Sequence, residues 1–338
     1  MARLVTGAEP EVTTRVSTGT PPEPEDIIAV VQEAHRRYRD VNDGTVASYI
    51  PALAAASAGL FGVCVAGPAG RVFGVGDVDV TFSIQSVSKA FVYALLCDRY
   101  GPAELQEKLG ANNTGQAFDS VIAVELSPDR LTNAMVNSGA IAATSLAPGE
   151  SADQQWAFVQ DGLSAMAGRQ LTLNQEVFTS ESGSNQRNRG LAHLLYGYGL
   201  LYCPPEVAVD TYTRQCSLDV TATDLAVMGA TLANGGRNPR TGVQVVSPAS
   251  CERTLAIMAA CGLYERSGDW LFEIGLPGKS GVSGGIVTVA PGKGGLATYS
   301  PRLDAAGNSV RGQLATAYVA HQLGLSLFAS APPAATAG

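Results

Sequence analysis

The stretch Phe82-Ser83-Ile84-Gln85-Ser86-Val87-Ser88-Lys89-Ala90-Phe91 places a lysine three residues after a serine, inside an otherwise apolar run. The chain has 22 basic residues, and only four of them are lysine: Lys89, Lys108, Lys279 and Lys293. Following the strand-like Val80–Ile84, the pattern predicts a helix from Ser86 to about Tyr100, stopped by Gly101-Pro102. Residues three apart share a helix face, so the side chains of Ser86 and Lys89 stand next to each other. A serine hydroxyl is a poor nucleophile until a neighbouring base takes its proton. A lysine serves as that base when burial or a nearby cation lowers its pKa, and Val87, Ala90, Phe91 and Val92 supply apolar surroundings. Unpaired N–H groups at a first helical turn also favour developing negative charge. The plain alternative is an exposed helix lysine, and S-x-x-K alone does not separate the two.

Lys279-Ser280-Gly281 tips the balance. Two of the four lysines fall in S-x-x-K and K-S-G, in that order, and a strand-like segment follows the second motif. This pairing resembles the serine hydrolases of the β-lactamase and penicillin-binding-protein group, whose nucleophile opens a helix and whose K-[ST]-G lies on a strand across the cleft. Gly281-Val282-Ser283-Gly284-Gly285 also fits G-x-S-x-G, with Asp304 and His321 following in α/β-hydrolase order. That motif needs a helix after the serine. Here a strand follows, and His321 lies inside a helical pattern, so the sequence speaks against a Ser283 triad.

Composition narrows the rest. At 338 residues, 46% hydrophobic and 15% charged, the chain suffices for a large core in one or two domains. A net charge of −8 repels nucleic-acid phosphates. No apolar run reaches the ~18–20 residues of a membrane span, and the polar, Pro-rich start does not read as a signal peptide. Three histidines and no C-x-x-C pair make a metal site an unexpected feature. The six scattered cysteines read as buried thiols in a reducing cytoplasm.

Residues 1–24 and 329–338 read as tails flanking a catalytic unit at 25–328. Strand pairs are expected at 61–67 with 71–77 and at 284–292 with 294–301. Helices are expected from about residue 25, over 151–168, 187–201, 221–234 and 247–261, and finally over about 311–328. The expected fold class is α/β: one antiparallel sheet built from both ends of the chain (about 25–80 and 265–328), flanked by helices, with an inserted all-helical lobe at about 86–262. The site would lie in the cleft between them.

Longer blocks carry a closer resemblance. "ASYIPALA" (47–54), "FSIQSVSK" (82–89), "NAMVNSGAI" (133–141), "SESGSNQRNRGLA" (180–192), "YTRQCSLDVTATDLAVMGATLANGG" (212–236) and "KSGVSGGI...SPRLDAAGNSVRG" (279–312) are similar to the serine-dependent glutaminases, over roughly residues 25–328. The resemblance implies Ser86 as nucleophile and Lys89 as general base. Tyr49, Gln85, Asn137, Glu181, Asn188, Tyr212, Tyr264 and Val282 match its substrate-binding positions. It further implies an oxyanion hole from the Ser86 and Val282 N–H groups, a proton relay through Tyr212 or Tyr264, and Lys279 lowering the Lys89 pKa. A glutamine substrate fits these residue types: a carboxylate for its ammonium, amides for its charged groups without added net charge. Hydrolysis of glutamine to glutamate and ammonia is the expected activity, without cofactor, in a cytoplasmic homodimer or homotetramer. Other serine amidohydrolases of the same fold, acting on peptide, β-lactam or ester, and an inactive glutamine-binding protein remain the alternatives. One departure stands out: Ser138 follows the motif asparagine, where the family commonly has alanine.

Overall fold

The computed structural model describes residues 22–48 and 50–330. Most of both expected tails, and Tyr49, therefore lie outside the described residues. The strands are β1 (Thr45–Val46), β2 (Gly62–Ala66), β3 (Val72–Gly76), β4 (Phe82–Ser83), β5 (Asp219–Val220), β6 (Gly278–Ser280), β7 (Gly285–Ala290), β8 (Gly294–Tyr299) and β9 (Arg302–Leu303). The main sheet runs β3-β2-β8-β7-β6, and all four of its pairings are antiparallel. Both expected strand pairs are hairpins. Pairing of β2 with β8, with Cys64 opposite Ala297, joins the two ends of the chain. The pairs β1–β9 and β4–β5 were not foreseen, since two residues are too few to show a period of two.

Alternation along the central strands sorts the core into two layers. Val63 and Val65 join Ile27 and Val31 of the helix Pro24–Tyr38 and Val319 of the helix Val310–Gln322. Cys64 and Ala66 face the other way, toward Leu225 and Ala226 of the helix Ala222–Ala233 and the helical block behind it. That helix falls within the stretch expected to form the helical lobe, and it covers the sheet instead. Small residues bring it close: a Cβ at Gly295 would lie 2.3 Å from the Ala226 carbonyl oxygen and 2.4 Å from the Ala230 nitrogen.

The helices of the middle form where their end signals stand. Ser151 and Ser247 cap Ala152–Ala167 and Pro248–Cys261, and Thr221 with Asp224 forms a reciprocal capping box. The C-terminal helix ends at Gln322, earlier than expected, because Gly324 turns the chain in the left-handed region (φ 61°). Its successor Leu325 then packs into the terminal-helix layer.

Gly295→Ala is expected to destabilise the fold by about 1–3 kcal/mol, since the added methyl meets helix backbone rather than a movable side chain. Urea unfolding would show a lowered midpoint at unchanged slope. An unchanged midpoint would mean that helix and sheet have room to part.

Candidate active site

Ser86 sits in a 3₁₀ turn, Gln85–Val87, and the α-helix proper begins at Ser88. This differs from the helix start expected at Ser86. The turn is pinned by Ile84 N–H donating to Leu218 O (2.8 Å) and by Ser88 Oγ donating to Gln85 O (2.7 Å). Gln85 occupies the left-handed region at φ 49°, an uncommon place for a side-chain-bearing residue. From there its amide donates to Glu181 Oε2 and to Ser83 Oγ, each at 3.2 Å.

Lys89, 1% exposed, donates from Nζ to Asn137 Oδ1 at 2.6 Å. The Tyr212 hydroxyl donates to the same oxygen at 3.2 Å, and Asn137 Nδ2 donates to Asn188 Oδ1 at 3.0 Å. Asn137 is thus the hub joining Lys89, Tyr212 and Asn188. It opens the helix Asn137–Ser145. The departure at Ser138 has a definite place: its hydroxyl pairs with Thr132 Oγ1 at 2.8 Å, tying the helix start to the preceding segment.

Lys279, fully buried on β6, donates to Ser280 O at 2.8 Å and lies 4.2 Å from the Tyr264 ring centre. The Tyr264 hydroxyl donates to the same carbonyl at 3.2 Å. Gly281 lets this strand end reach the nucleophile turn, since a Cβ there would lie 3.1 Å from Ile84 O and 3.3 Å from Gln85 Cβ. The side chain of Val282 packs with Ala47, Ile50, Leu53 and Leu303. Segments on both sides of Tyr49 therefore border the site.

Burial dominates the electrostatics. It lowers the Lys89 ammonium to about 8, against weaker opposing pulls from Cys216, Glu181 and Asp119. Lys279 is held well below its ordinary value, first by burial and then by the charge on Lys89. Both lysines are thus held below their ordinary values, and burial is the first cause at each. Burial raises Glu181 to about 7, opposed by its bond from Gln85 and by Lys89. Tyr264 is pushed up to about 12 by burial, while hydrogen bonding with Ser86 and Ser280 pulls down. Tyr212 is raised well above its ordinary value by burial.

The structure therefore gathers Gln85, Ser86, Lys89, Asn137, Glu181, Asn188, Tyr212, Tyr264, Lys279 and Val282 from distant parts of the chain. The Ser283 triad does not form. His321 bonds the Glu273 carbonyl at 2.7 Å, and Asp304 holds N–H groups of its own loop and the Gln313 amide. A second ring escaped the sequence reading: Thr144 Oγ1 donates to Gln215 Oε1 (2.9 Å), and Gln215 Nε2 donates to Ser88 Oγ (3.3 Å). Cys216 joins it, its thiol pushed up to about 12 by burial and hydrogen-bonded with Tyr212 and Ser88. Their signal was present, because Gln215 and Cys216 lie three and four residues after Tyr212, on its helix face.

Known proteins are similar to this chain in sequence and in fold. The glutaminase family model matches residues 44–328. Glutaminase 2 of Yersinia pestis is 56% identical over 317 residues, covering 94% of this chain and 93% of its own. A glutaminase of Mycobacterium ulcerans is 48% identical over 298 residues, covering 88% and 93%. Among solved structures, the probable glutaminase YbaS superposes with a TM-score of 0.89 at 44% identity, over 90% of this chain and 99% of that one. The Bacillus subtilis glutaminase YbgJ, in a covalent complex with 5-oxo-L-norleucine formed from 6-diazo-5-oxo-L-norleucine, superposes at 0.79 with 30% identity, over 90% and 99%. The fold is the serine β-lactamase-like fold of these glutaminases, as the paired lysine motifs implied. A match over this much of the chain, at these identities, makes the conclusion direct: the chain belongs to the glutaminase family.

Proposed function

We propose that this glutaminase hydrolyses L-glutamine to L-glutamate and ammonia through an acyl-enzyme on Ser86. The observation that carries the reading is the burial of Lys89 one helical turn from Ser86, bonded to a neutral amide rather than to a carboxylate. With its pKa lowered to about 8, about one Lys89 in ten is the free amine at pH 7, against about one in three thousand for an ordinary lysine. Lys89 takes the Ser86 proton as Oγ attacks the side-chain amide carbon. The Ser86 and Val282 N–H groups receive the oxyanion. Collapse breaks the C–N bond, and a proton passed to nitrogen releases ammonia. Water then attacks the ester, and Ser86 regains its proton.

Of the two tyrosines, Tyr264 is the better relay, because it interacts with Ser86 while Tyr212 is committed to Asn137. Glu181 meets the substrate ammonium, and Asn137 and Asn188 meet its carboxylate; Gln85 orients Glu181. Tyr49 completes the binding set by resemblance. The covalent complex of YbgJ with a glutamine-shaped diazoketone supports a nucleophile of this kind. No helix of the described residues is long and apolar enough to cross a membrane. Six unpaired cysteines support a reducing, cytoplasmic setting. The resemblance supports a homodimer or homotetramer, and light scattering at the monomer mass of 34.8 kDa would refute that.

Ser86→Ala is expected to lower ammonia release from glutamine by about three orders of magnitude or more, with the far-UV circular dichroism and melting temperature of the wild type. Near-normal kcat in this variant would sink the assignment. A second expectation concerns pH. Lys89 acts as the free amine and Glu181 as the carboxylate, so both lose a proton to become competent. The kcat/KM of the wild type should therefore climb through pH 7 and level off above pH 8. Glu181→Gln should lose affinity and keep only the upper inflection. A profile flat from about pH 6 to 9 contradicts both roles.

A further inference from the structure

Ser280, the last residue of β6, is a junction. Its carbonyl accepts from Lys279 Nζ and from the Tyr264 hydroxyl. Its own hydroxyl points to a different element and donates to Asn308 Oδ1 at 2.5 Å. Asn308 is fully buried, in the loop between β9 and the helix Val310–Gln322. That loop is braced from within. Asp304 Oδ1 accepts the N–H groups of Ala306 and Asn308, each at 3.0 Å, and Asp304 N–H donates to Asn308 O at 2.8 Å. Asp304 Oδ2 accepts from the Gln313 amide at 3.0 Å, which fastens the loop to the helix. The loop also backs onto Val282: Leu303 shares its apolar cluster, and a Cβ at Gly307 would lie 3.6 Å from Val282 Cγ1 and 4.0 Å from the Tyr264 ring.

We propose that Asn308 is a positioning residue for the amide hydrolysis, acting through Ser280 to fix the turn that presents the Val282 N–H to the oxyanion. The inference rests on the reading of Ser86 and Val282 as the oxyanion hole. β6 has three residues and lies at the sheet edge, so among the described residues one strand alone pairs with it, and its far side has only the long bond from Ser280 N–H to Gly262 O at 3.5 Å. Val282 follows two residues beyond the strand, in a turn closed by Gly281 N–H to Gly285 O (2.9 Å) and Gly284 N–H to Gly281 O (3.0 Å). The Ser280–Asn308 bond adds a side-chain restraint that ties the base of this turn to a braced loop. A donor displaced by about 1 Å weakens transition-state stabilisation by about a hundredfold. The groups that hold the substrate's other end, Glu181, Asn137 and Asn188, stand on other elements. Loss of Asn308 therefore lowers kcat and spares KM.

The experiment compares wild type, Ser86→Ala, Asn308→Ala, Ser280→Ala, Ser280→Thr and the Ser280→Ala/Asn308→Ala double variant in steady-state ammonia release from glutamine. Each single alanine variant should lower kcat about tenfold to a hundredfold with KM within about twofold. The double variant should fall no further than the worse single, because one bond is lost in all three. Ser280→Thr, which keeps the hydroxyl, should recover most of the kcat. Losses that add in the double variant, a loss carried by KM, or a kcat within about twofold of wild type in Asn308→Ala would each overturn the proposal. Should Asn308→Ala fail to fold by circular dichroism, Ser280→Ala removes the same bond and its kcat decides. An active Ser86→Ala would refute the nucleophile itself, a failure distinct from any result at Asn308.

Discussion

The structure depends on a buried ammonium whose direct hydrogen bond goes to a neutral acceptor. Lys89 donates to Asn137 Oδ1 at 2.6 Å inside the core. Had that acceptor been a carboxylate, the pair would have held the proton on lysine and raised its pKa. An amide satisfies the donor without compensating the charge, so desolvation wins and the amine becomes available near neutrality. Burying a polar donor without any acceptor would have cost several kcal/mol. Asn137 therefore has to be held to within a few tenths of an ångström. The fold does this by opening a helix at that residue, by the Ser138–Thr132 hydroxyl pair, and by glycine at 139, where a Cβ would lie 2.0 Å from Asn133 O.

The second constraint is the meeting of two chain ends. Lys89 follows the first hairpin, and Lys279 precedes the second. The β2–β8 pairing places them on the same side of the molecule. The sheet order leaves β6 at an edge, with no further strand beyond it. Gly262 lies against that edge, and the nucleophile turn meets the strand's end at Gly281. Gly281 is the residue that allows it, for any side chain would press against Ile84 O and Gln85. Two ammonium groups brought into one core cannot both stay charged cheaply. Both are held below their ordinary values, burial first in each, and the direct partners of Lys279 are a backbone carbonyl and a ring face.

How much of this was legible in the sequence follows from the range of each signal. The S-x-x-K and K-S-G motifs are local patterns, and they led to the right fold and family; the hairpins and the capped helices, equally local, read correctly. The turn at Ser86 did not, because a 3₁₀ turn and a first α-helical turn share the same apolar spacing. What marks the turn here is Gln85 in the left-handed region at φ 49°, a backbone choice that apolar spacing does not encode. The helix Ala222–Ala233 was grouped with its neighbours in sequence, yet it lies on the sheet. Its glycine and alanine content, which permits that contact with β8, is the clue that periodicity alone does not weigh. Asn308 and Gln215 stood inside the blocks that carried the family resemblance. Neither has a residue type or spacing that marks chemistry, and only their bonds to Ser280 and Ser88 reveal them.

In its proposed role of meeting the substrate ammonium, Glu181 would let substrate and site complete each other. Alone, the carboxyl is buried and sits near 7, so at neutral pH the empty site holds the proton about half the time. In that role, an arriving ammonium would stabilise the carboxylate and drive that proton off. Binding and ionisation are therefore linked: the substrate supplies the countercharge that the protein withholds. Glutamine and its product carry the same ammonium and the same α-carboxylate, so this end cannot tell them apart. Discrimination has to arise where they differ, at the side-chain carbonyl. At that end, on the proposed reading, the product's second carboxylate would lose its hydration among the buried Tyr212 and Tyr264, and a neutral amide gives up less on entering the same surroundings.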